Sequence, residues 1–262
     1  MIERLVINLR VIAALGQRSV NQTFRRPQLI APIVVFPTLL LALQTGGAGG
    51  AVNLPGFPEV HGFLDFMLAG AMMQSCLLAA NSGGIALAVD IEMGFTDRLL
   101  AAPISRFSIV LGRLAGTAAL GAFSALWFIA IGLIFGARIE EGVPGAILMI
   151  LFIVLSAIAF GGIGAAIALR TGTASVVQGL FPLVLVVLFL SSAFFPDSLM
   201  VEPAATIAEY NPLSFIVEGI RDPVISTISS EAFWKAFAAI VVIAAASLSL
   251  SLVALRRRLR MG

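Results

Sequence analysis

The chain has 262 residues, 60% of them in the hydrophobic class and only 11% charged, with a mean hydropathy of +1.06. A soluble domain of this length carries about 25% charged residues, so the composition points to a polytopic membrane protein. The isoelectric point near 9.3 then raises the question of where the basic residues fall, not of nucleic acid.

A single cysteine, Cys76, excludes a disulfide framework, and a single histidine, His61, excludes a multi-histidine metal site. No Gly-x-x-x-x-Gly-Lys-Ser/Thr phosphate loop occurs, so the chain is not expected to bind ATP itself.

Residues 1–26 place Ile2, Leu5, Val6, Leu9, Ile12, Ala13 and Val20 near the helical period, with Arg4, Arg10, Arg18, Arg25 and Arg26 interspersed. There is no uninterrupted apolar core and no small-residue cleavage site, so the pattern predicts an amphipathic interfacial helix and not a signal peptide. A first span is predicted over 28–45. Its Pro32 and Pro37 free backbone carbonyls and favour a kinked helix that leans on its neighbours. Residues 46–61, rich in Gly and Pro, read as an external loop.

A second span, 62–89, carries Gln74, Ser75, Asn81 and Ser82. Seven-residue spacing sets 74 over 81 and 75 over 82, one polar stripe that must face protein or a transport pathway. Interhelical hydrogen bonding and substrate contact both fit it. The third span, 114–135, follows Arg113, which can snorkel to the interface. Gly112-x-x-x-Gly116 and Gly132-x-x-x-Gly136 suit close helix packing.

The fourth span is 144–169. Its Gly161-Gly162-Ile-Gly164 lies inside an apolar run with no preceding strand and is no phosphate loop. A fifth span, 175–195, leads into an external segment, 196–230, holding Pro196, Pro203, Pro212 and Pro223. There Asn211-Pro212 reads as N-cap and first helical residue. Leu213, Ile216, Val217 and Ile220 mark the apolar face of a short helix at, or dipping into, the outer interface. A sixth span, 236–255, ends in Arg256-Arg257-Arg258-Leu-Arg260.

Between spans two and three, the segment 90–106 holds Asp90, Glu92, Asp97, Arg98 and Arg106. Burying all five charges at a bilayer centre would cost roughly 12–17 kcal/mol, so the segment is expected to emerge into water as a polar island with a short helix. It reads either as a solvated loop or as a tip that carries force into the membrane when something soluble grips it. With both termini inside, thirteen basic residues fall on the cytoplasmic side, against Arg138, Arg221 and Lys235 outside. The expected architecture is an all-α membrane protein of six transmembrane helices, with 90–106 in the cytosol.

The run Phe66…Asp90-x-Glu92-x-Gly94-Phe-x-Asp97-Arg98-Leu99-Leu100-x-Ala-Pro103-Ile-Ser105-Arg106…Leu111-Gly112-Arg113 resembles the segment between the second and third helices of type-2 ABC export permeases, the daunorubicin-resistance and nodulation-export branches in particular. Ser191-Ser-Ala-Phe-Phe-Pro196 with Tyr210-Asn-Pro-Leu-Ser-Phe215…Glu218-Gly-Ile-Arg221 resembles that family's fifth-helix exit and external re-entrant segment. The order and spacing of these motifs extend the likeness over nearly the whole chain. After Pro196 the family often has a second proline and a tryptophan, where this chain reads Asp197-Ser-Leu-Met-Val-Glu202-Pro203.

The resemblance implies a permease subunit of an ATP-driven exporter in a bacterial cell (inner) membrane. Its expected partners are ABC ATPase subunits, which bind ATP and Mg, a second permease (homodimer or related heterodimer), and membrane lipid. Carried over, 90–106 is a cytoplasmic coupling helix seated in the ATPase, with Glu92, Gly94, Arg98, Leu99, Pro103 and Arg106 at the contact. Gln74, Ser75, Asn81 and Ser82 are the candidate pathway residues. Asn211, Pro212, Glu218 and Arg221 are the candidate external gate. A lipophilic drug, a lipid or a lipid-linked glycan suits spans nearly free of charge.

Two rivals stand beside this reading. A secondary transporter or channel would favour a mid-membrane carboxylate, for which Asp65 is the only candidate. An intramembrane enzyme would need His-Glu-x-x-His, facing aspartates or a serine–histidine pair, and these spans do not offer them.

Overall fold

The computed structural model describes residues 2–25, 27–95 and 105–261, and contains helices but no strand among them. In chain order the helices are α1 (Ile2–Phe24), α2 (Pro27–Ala48), α3 (Phe63–Glu92), α4 (Arg106–Ile134) and α5 (Gly142–Thr171). Then follow α6 (Ala174–Gly179), α7 (Phe181–Phe189), α8 (Ala204–Tyr210), α9 (Pro212–Ile225) and α10 (Ser230–Met261).

A helix apolar on every side needs neighbours on every side. α3 is apolar around most of its circumference, interrupted by the stripe at 74–82, and it stands at the centre with Phe66, Met67, Leu68, Met72, Met73 and Leu77 fully buried. It is flanked by α2, α4, α5, α6 and α9, while α10 lies along α5 and α9, and α1 lies along α4. On the outside the pattern inverts. Leu43 (72% exposed), Val242 (67%) and Leu39 (64%) point away from the protein, as side chains facing lipid do.

Among the described residues, five helical stretches are long and apolar enough to cross a membrane: Pro27–Asn53, Phe63–Glu92, Phe107–Ile134, Gly142–Thr171 and Ser230–Arg257. The predicted fifth span, 175–195, differs. Pro182 has no N–H to give the Gln178 carbonyl, and the chain breaks at Leu180 into α6 and α7, with turns from Leu190 to Phe194. Ala174–Phe189 reaches only about 24 Å, short of the roughly 30 Å hydrocarbon core.

Small residues set the close contacts. In α5, Gly161 abuts Thr117 of α4, Gly162 abuts Ser247 of α10, and Gly164 abuts Gly84 of α3. A Cβ on Gly84 would lie 2.9 Å from the Gly164 Cα. The Gly-Gly-x-Gly cluster therefore turns one glycine to each of three neighbouring helices.

The prolines of α2 have a similarly local explanation. Pro37 cannot donate to the Ile33 carbonyl one turn earlier, and the Ser75 hydroxyl of α3 donates to that oxygen instead, at 2.7 Å. Ser75→Ala is expected to lower stability by about 0.6–1.7 kcal/mol, the range of hydrogen bonds between membrane helices. Pro37→Ala restores the missing donor. Thermal unfolding in detergent should accordingly show a Ser75→Ala cost less than half as large in the Pro37→Ala background.

Candidate functional site

Two polar clusters lie at opposite ends of α3. At its C-terminal end, Asp90 is fully buried. Its carboxylate pairs closely with Arg113 of α4, lies 3.2 Å from Nη1 of Arg18 on α1, and accepts from Nε2 of Gln22 at 3.3 Å. The Arg18 guanidinium rests 3.6 Å above the Phe95 ring. The Ser19 hydroxyl donates to the Arg113 carbonyl at 3.0 Å.

The helices can come this close because α4 offers glycine at the crossing. A Cβ on Gly112 would lie 2.6 Å from the Leu15 Cβ, and one on Gly116 would collide with the Ser19 hydroxyl. Two features differ from the sequence reading here. Asp90 does not emerge into water, because two guanidinium groups offset the cost of burying it. And α1 is not merely laid on an interface; it is clamped to α3 and α4.

Beyond Asp90, the Glu92 carboxylate accepts from the Ala174 N–H at the start of α6, at 2.9 Å. Gly94 adopts φ +68° where α3 ends, a conformation glycine takes without strain. Arg98, Leu99 and Pro103 lie outside the described residues. Arg106 is the first residue of α4, which the Ser105 side chain caps by accepting from the Ser108 N–H at 3.2 Å.

Along the middle of α3 the polar stripe divides. Ser75 turns to α2, as described above. Gln74 is fully buried and neither of its amide atoms has a partner among the described residues. Asn81 is half-buried, beside a small cavity of about 50 Å³ that also touches Phe160, Ile163 and Val184. Ser82 is buried.

The second cluster gathers the ends of α7 and α9 around the start of α3. Asn211 caps α9, its Oδ1 accepting from the Leu213 N–H at 2.9 Å, with Pro212 next in the helix. Its Nδ2 donates to the carbonyls of Val187 (2.8 Å) and Leu190 (3.0 Å) at the end of α7. Arg221, buried, donates from Nη2 to the Ser192 and Ala193 carbonyls, at 2.8 and 3.1 Å. Its Nε donates to the Phe66 carbonyl at 3.1 Å, and the guanidinium lies 3.9 Å over the Phe66 ring.

Ser192 is held on two further sides. Its N–H donates to the Ser214 hydroxyl at 3.0 Å and its own hydroxyl to Glu218 at 2.9 Å. Gly70 makes room for this turn, since a Cβ there would collide with the Ala193 carbonyl. Burial pushes Arg221 down to about 10, which leaves it charged at neutral pH. Burial also holds the Glu218 carboxyl above its ordinary range, against the hydrogen bond from Ser192. Together Asn211, Glu218 and Arg221 fasten the end of the broken span to α9, with Arg221 also gripping α3.

Near this end, Asp65 accepts from the N–H groups of Gly62 (3.1 Å) and Arg138 (3.2 Å). It serves as a cap for the first turn of α3.

The profile of the ABC-2 type transporter family matches residues 10–225. The chain belongs to that family. A transport permease, ycf38, of Porphyra purpurea is 30% identical over 219 residues, covering 81% of this chain and 73% of the relative. Its namesake in Pyropia yezoensis is 29% identical over the same shares. The daunorubicin resistance ABC transporter permease protein of Streptomyces coeruleorubidus is 25% identical over 197 residues, 75% of this chain and 68% of the relative. This ABC-2 permease is thus a multi-pass membrane protein and a transport subunit, not an enzyme.

The two motifs that resemble the family's outer segment, Ser191–Pro196 and Tyr210–Arg221, turn out to be the two halves of one hydrogen-bonded cluster in this permease. Sequence reasoning missed the buried clamp of Asp90, Arg113, Arg18 and Gln22. The available signal was a lone aspartate at the end of an apolar span with an arginine near the start of the next.

Asp90→Asn leaves Arg113 buried beside a neutral group, and should cost about 3–5 kcal/mol. Limited proteolysis should then cut within α1 first. Arg221→Met strands three carbonyls and should cost at least about 3 kcal/mol. Arg221→Lys is expected to recover less than half of that in thermal unfolding, because an ammonium lacks the planar fork that spans them.

Proposed function

We propose that this ABC-2 permease is the membrane half of an ATP-driven exporter, powered by separate ABC ATPase subunits that bind ATP and Mg. It is paired with a second permease and moves a lipophilic drug, lipid or lipid-linked glycan outward across a bacterial inner membrane. The Asp90 end faces the cytosol in this reading, supported by the thirteen basic residues on that side. The absence of a phosphate loop from the sequence supports a separate source of ATP hydrolysis.

The observation that carries the proposal is the anchoring of segment 90–106. Asp90 joins its base to α4 and α1, and Glu92 joins it to α6. A load applied to the segment by an ATPase would reach four helices through buried or backbone-directed contacts. A solvated loop needs none of these. Glu92, Gly94, Arg98, Leu99, Pro103 and Arg106 are assigned to the docking contact.

Gln74, Asn81 and Ser82 are assigned to the pathway side of α3, Ser75 being engaged by α2, and Gln74, without a partner among the described residues, is the residue most available to a substrate. Asn211, Pro212, Glu218 and Arg221 form the external gate, supported by the hydrogen bonds that fasten α9 over the end of α7.

The test is reconstitution with the cognate ATPase subunit. Arg98→Glu or Leu99→Asp is expected to reduce co-purified ATPase by more than about tenfold, a loss of the size that a buried interface charge imposes. Thermal stability of the permease should stay unchanged, since the segment lies outside the apolar spans. Undiminished ATPase retention and undiminished transport in both variants would overturn the assignment. In the same complex, Gln74→Leu should change the order in which a panel of lipophilic compounds stimulates ATP hydrolysis.

A further inference from the structure

One face of α1 is unlike the rest of this apolar protein. Ala14, Gln17, Arg18, Asn21, Gln22 and Arg25 follow one another at three- and four-residue steps, and they line an open groove of about 640 Å³. Arg18 gives Asp90 only its Nη1, and its other N–H groups have no partner among the described residues. Arg25 is exposed and makes no ion pair among the described residues.

Among the described residues, Arg18 and Arg113 share the carboxylate of Asp90, and Arg25 forms no ion pair, so guanidinium groups outnumber their carboxylate partners here. The carboxamides of Gln17 and Asn21 add neutral N–H donors at the same surface. On the same helix Leu9 is 58% exposed, and Phe24, packed edge-on against Phe123 of α4, stays 42% exposed, so both leave apolar surface beside the polar stretch.

The geometry points to a binding site on α1 for a phosphate group, carried by an anionic phospholipid of the leaflet at the Asp90 end, with Arg18, Arg25, Gln17 and Asn21 as its donors. Planar guanidinium groups match phosphate oxygens two at a time. A basic surface at the cytoplasmic membrane boundary attracts anionic headgroups, and Leu9 and Phe24 would lie beside the acyl chains. A bound lipid would brace α1 next to the clamp, through the same Arg18 that pairs with Asp90. The leaflet assignment rests on the orientation proposed above. The site itself rests on the groove alone, and its test needs no ATP, ATPase or transport.

The experiment uses the purified full-length chain in detergent, with lipid retention followed by native mass spectrometry. Phosphatidylglycerol should be retained at least about tenfold more strongly than phosphatidylcholine, as expected for two uncompensated arginines at a membrane surface. Arg25→Gln, which leaves the Asp90 clamp intact, should weaken phosphatidylglycerol retention about fivefold, with unchanged circular dichroism.

Equal retention of the two lipids, or retention indifferent to Arg25→Gln, would overturn the site. Inorganic phosphate at millimolar concentration should not displace the lipid, and displacement would show that a soluble phosphate is the true ligand. Phosphatidylglycerol should still be retained once the ATPase subunit is added. Its loss there would mark the groove as part of a protein contact instead.

Discussion

A backbone carbonyl that loses its helical donor inside a membrane protein has no water to turn to, and an unsatisfied group costs several kcal/mol. The architecture is arranged around the places where this happens. Pro37 strands the Ile33 carbonyl and the Ser75 hydroxyl reaches across to it. The end of α7 leaves the carbonyls of Val187, Leu190, Ser192 and Ala193 without helical partners, and Asn211 and Arg221 supply donors to all four. Breaking a span is therefore tolerable only because a later segment folds back over the break, which ties α7, α9 and the start of α3 into one unit.

The other end of the bundle solves a different problem, the burial of charge. Asp90 could not sit at the end of a buried helix alone. It is held there by Arg113 on the next helix and Arg18 on the first, over the face of Phe95. Such a pair adds little net stability compared with apolar packing, but it fixes which surfaces meet. Here it selects one register of α1 against α4, and the glycines at 112 and 116 allow the approach. The two ends differ in chemistry and share a logic, each using one buried arginine to make separate segments move together.

Much of this was legible in the sequence. Long apolar runs marked α2 to α5 and α10, and Asn211-Pro212 marked the start of α9, because hydropathy and capping are local properties. The glycine pair at 112 and 116 signalled a close helix contact, but not that the visitor would be α1. The break at Leu180 was hidden because 175–195 is apolar enough as a whole to read as one span, and Pro182 stands where it could equally begin a helix or kink one. The buried clamp was hidden too: a charge count treats Asp90 as one of five polar residues in a loop, and only the fold brings Arg18 across 72 positions to meet it. The partners of Arg221, a candidate gate residue in the sequence, stayed hidden for the same reason, since they are backbone carbonyls, which no side-chain pattern announces.

The position of α3 between these clusters has a mechanical corollary. Phe66, whose carbonyl receives Arg221, and Asp90, which receives Arg113, stand 24 residues apart on one helix without proline, roughly 36 Å along its axis. A rod of that kind has little slack. If its Asp90 end were drawn along the axis by about 1 Å, the 3.1 Å bond from Arg221 to Phe66 would stretch past hydrogen-bonding range unless Arg221 travelled with it. Arg221 cannot travel alone, since the same guanidinium holds Ser192 and Ala193. Strain entering at one end of α3 would thus have two outlets at the other: release of that one hydrogen bond, or displacement of the whole fastened unit.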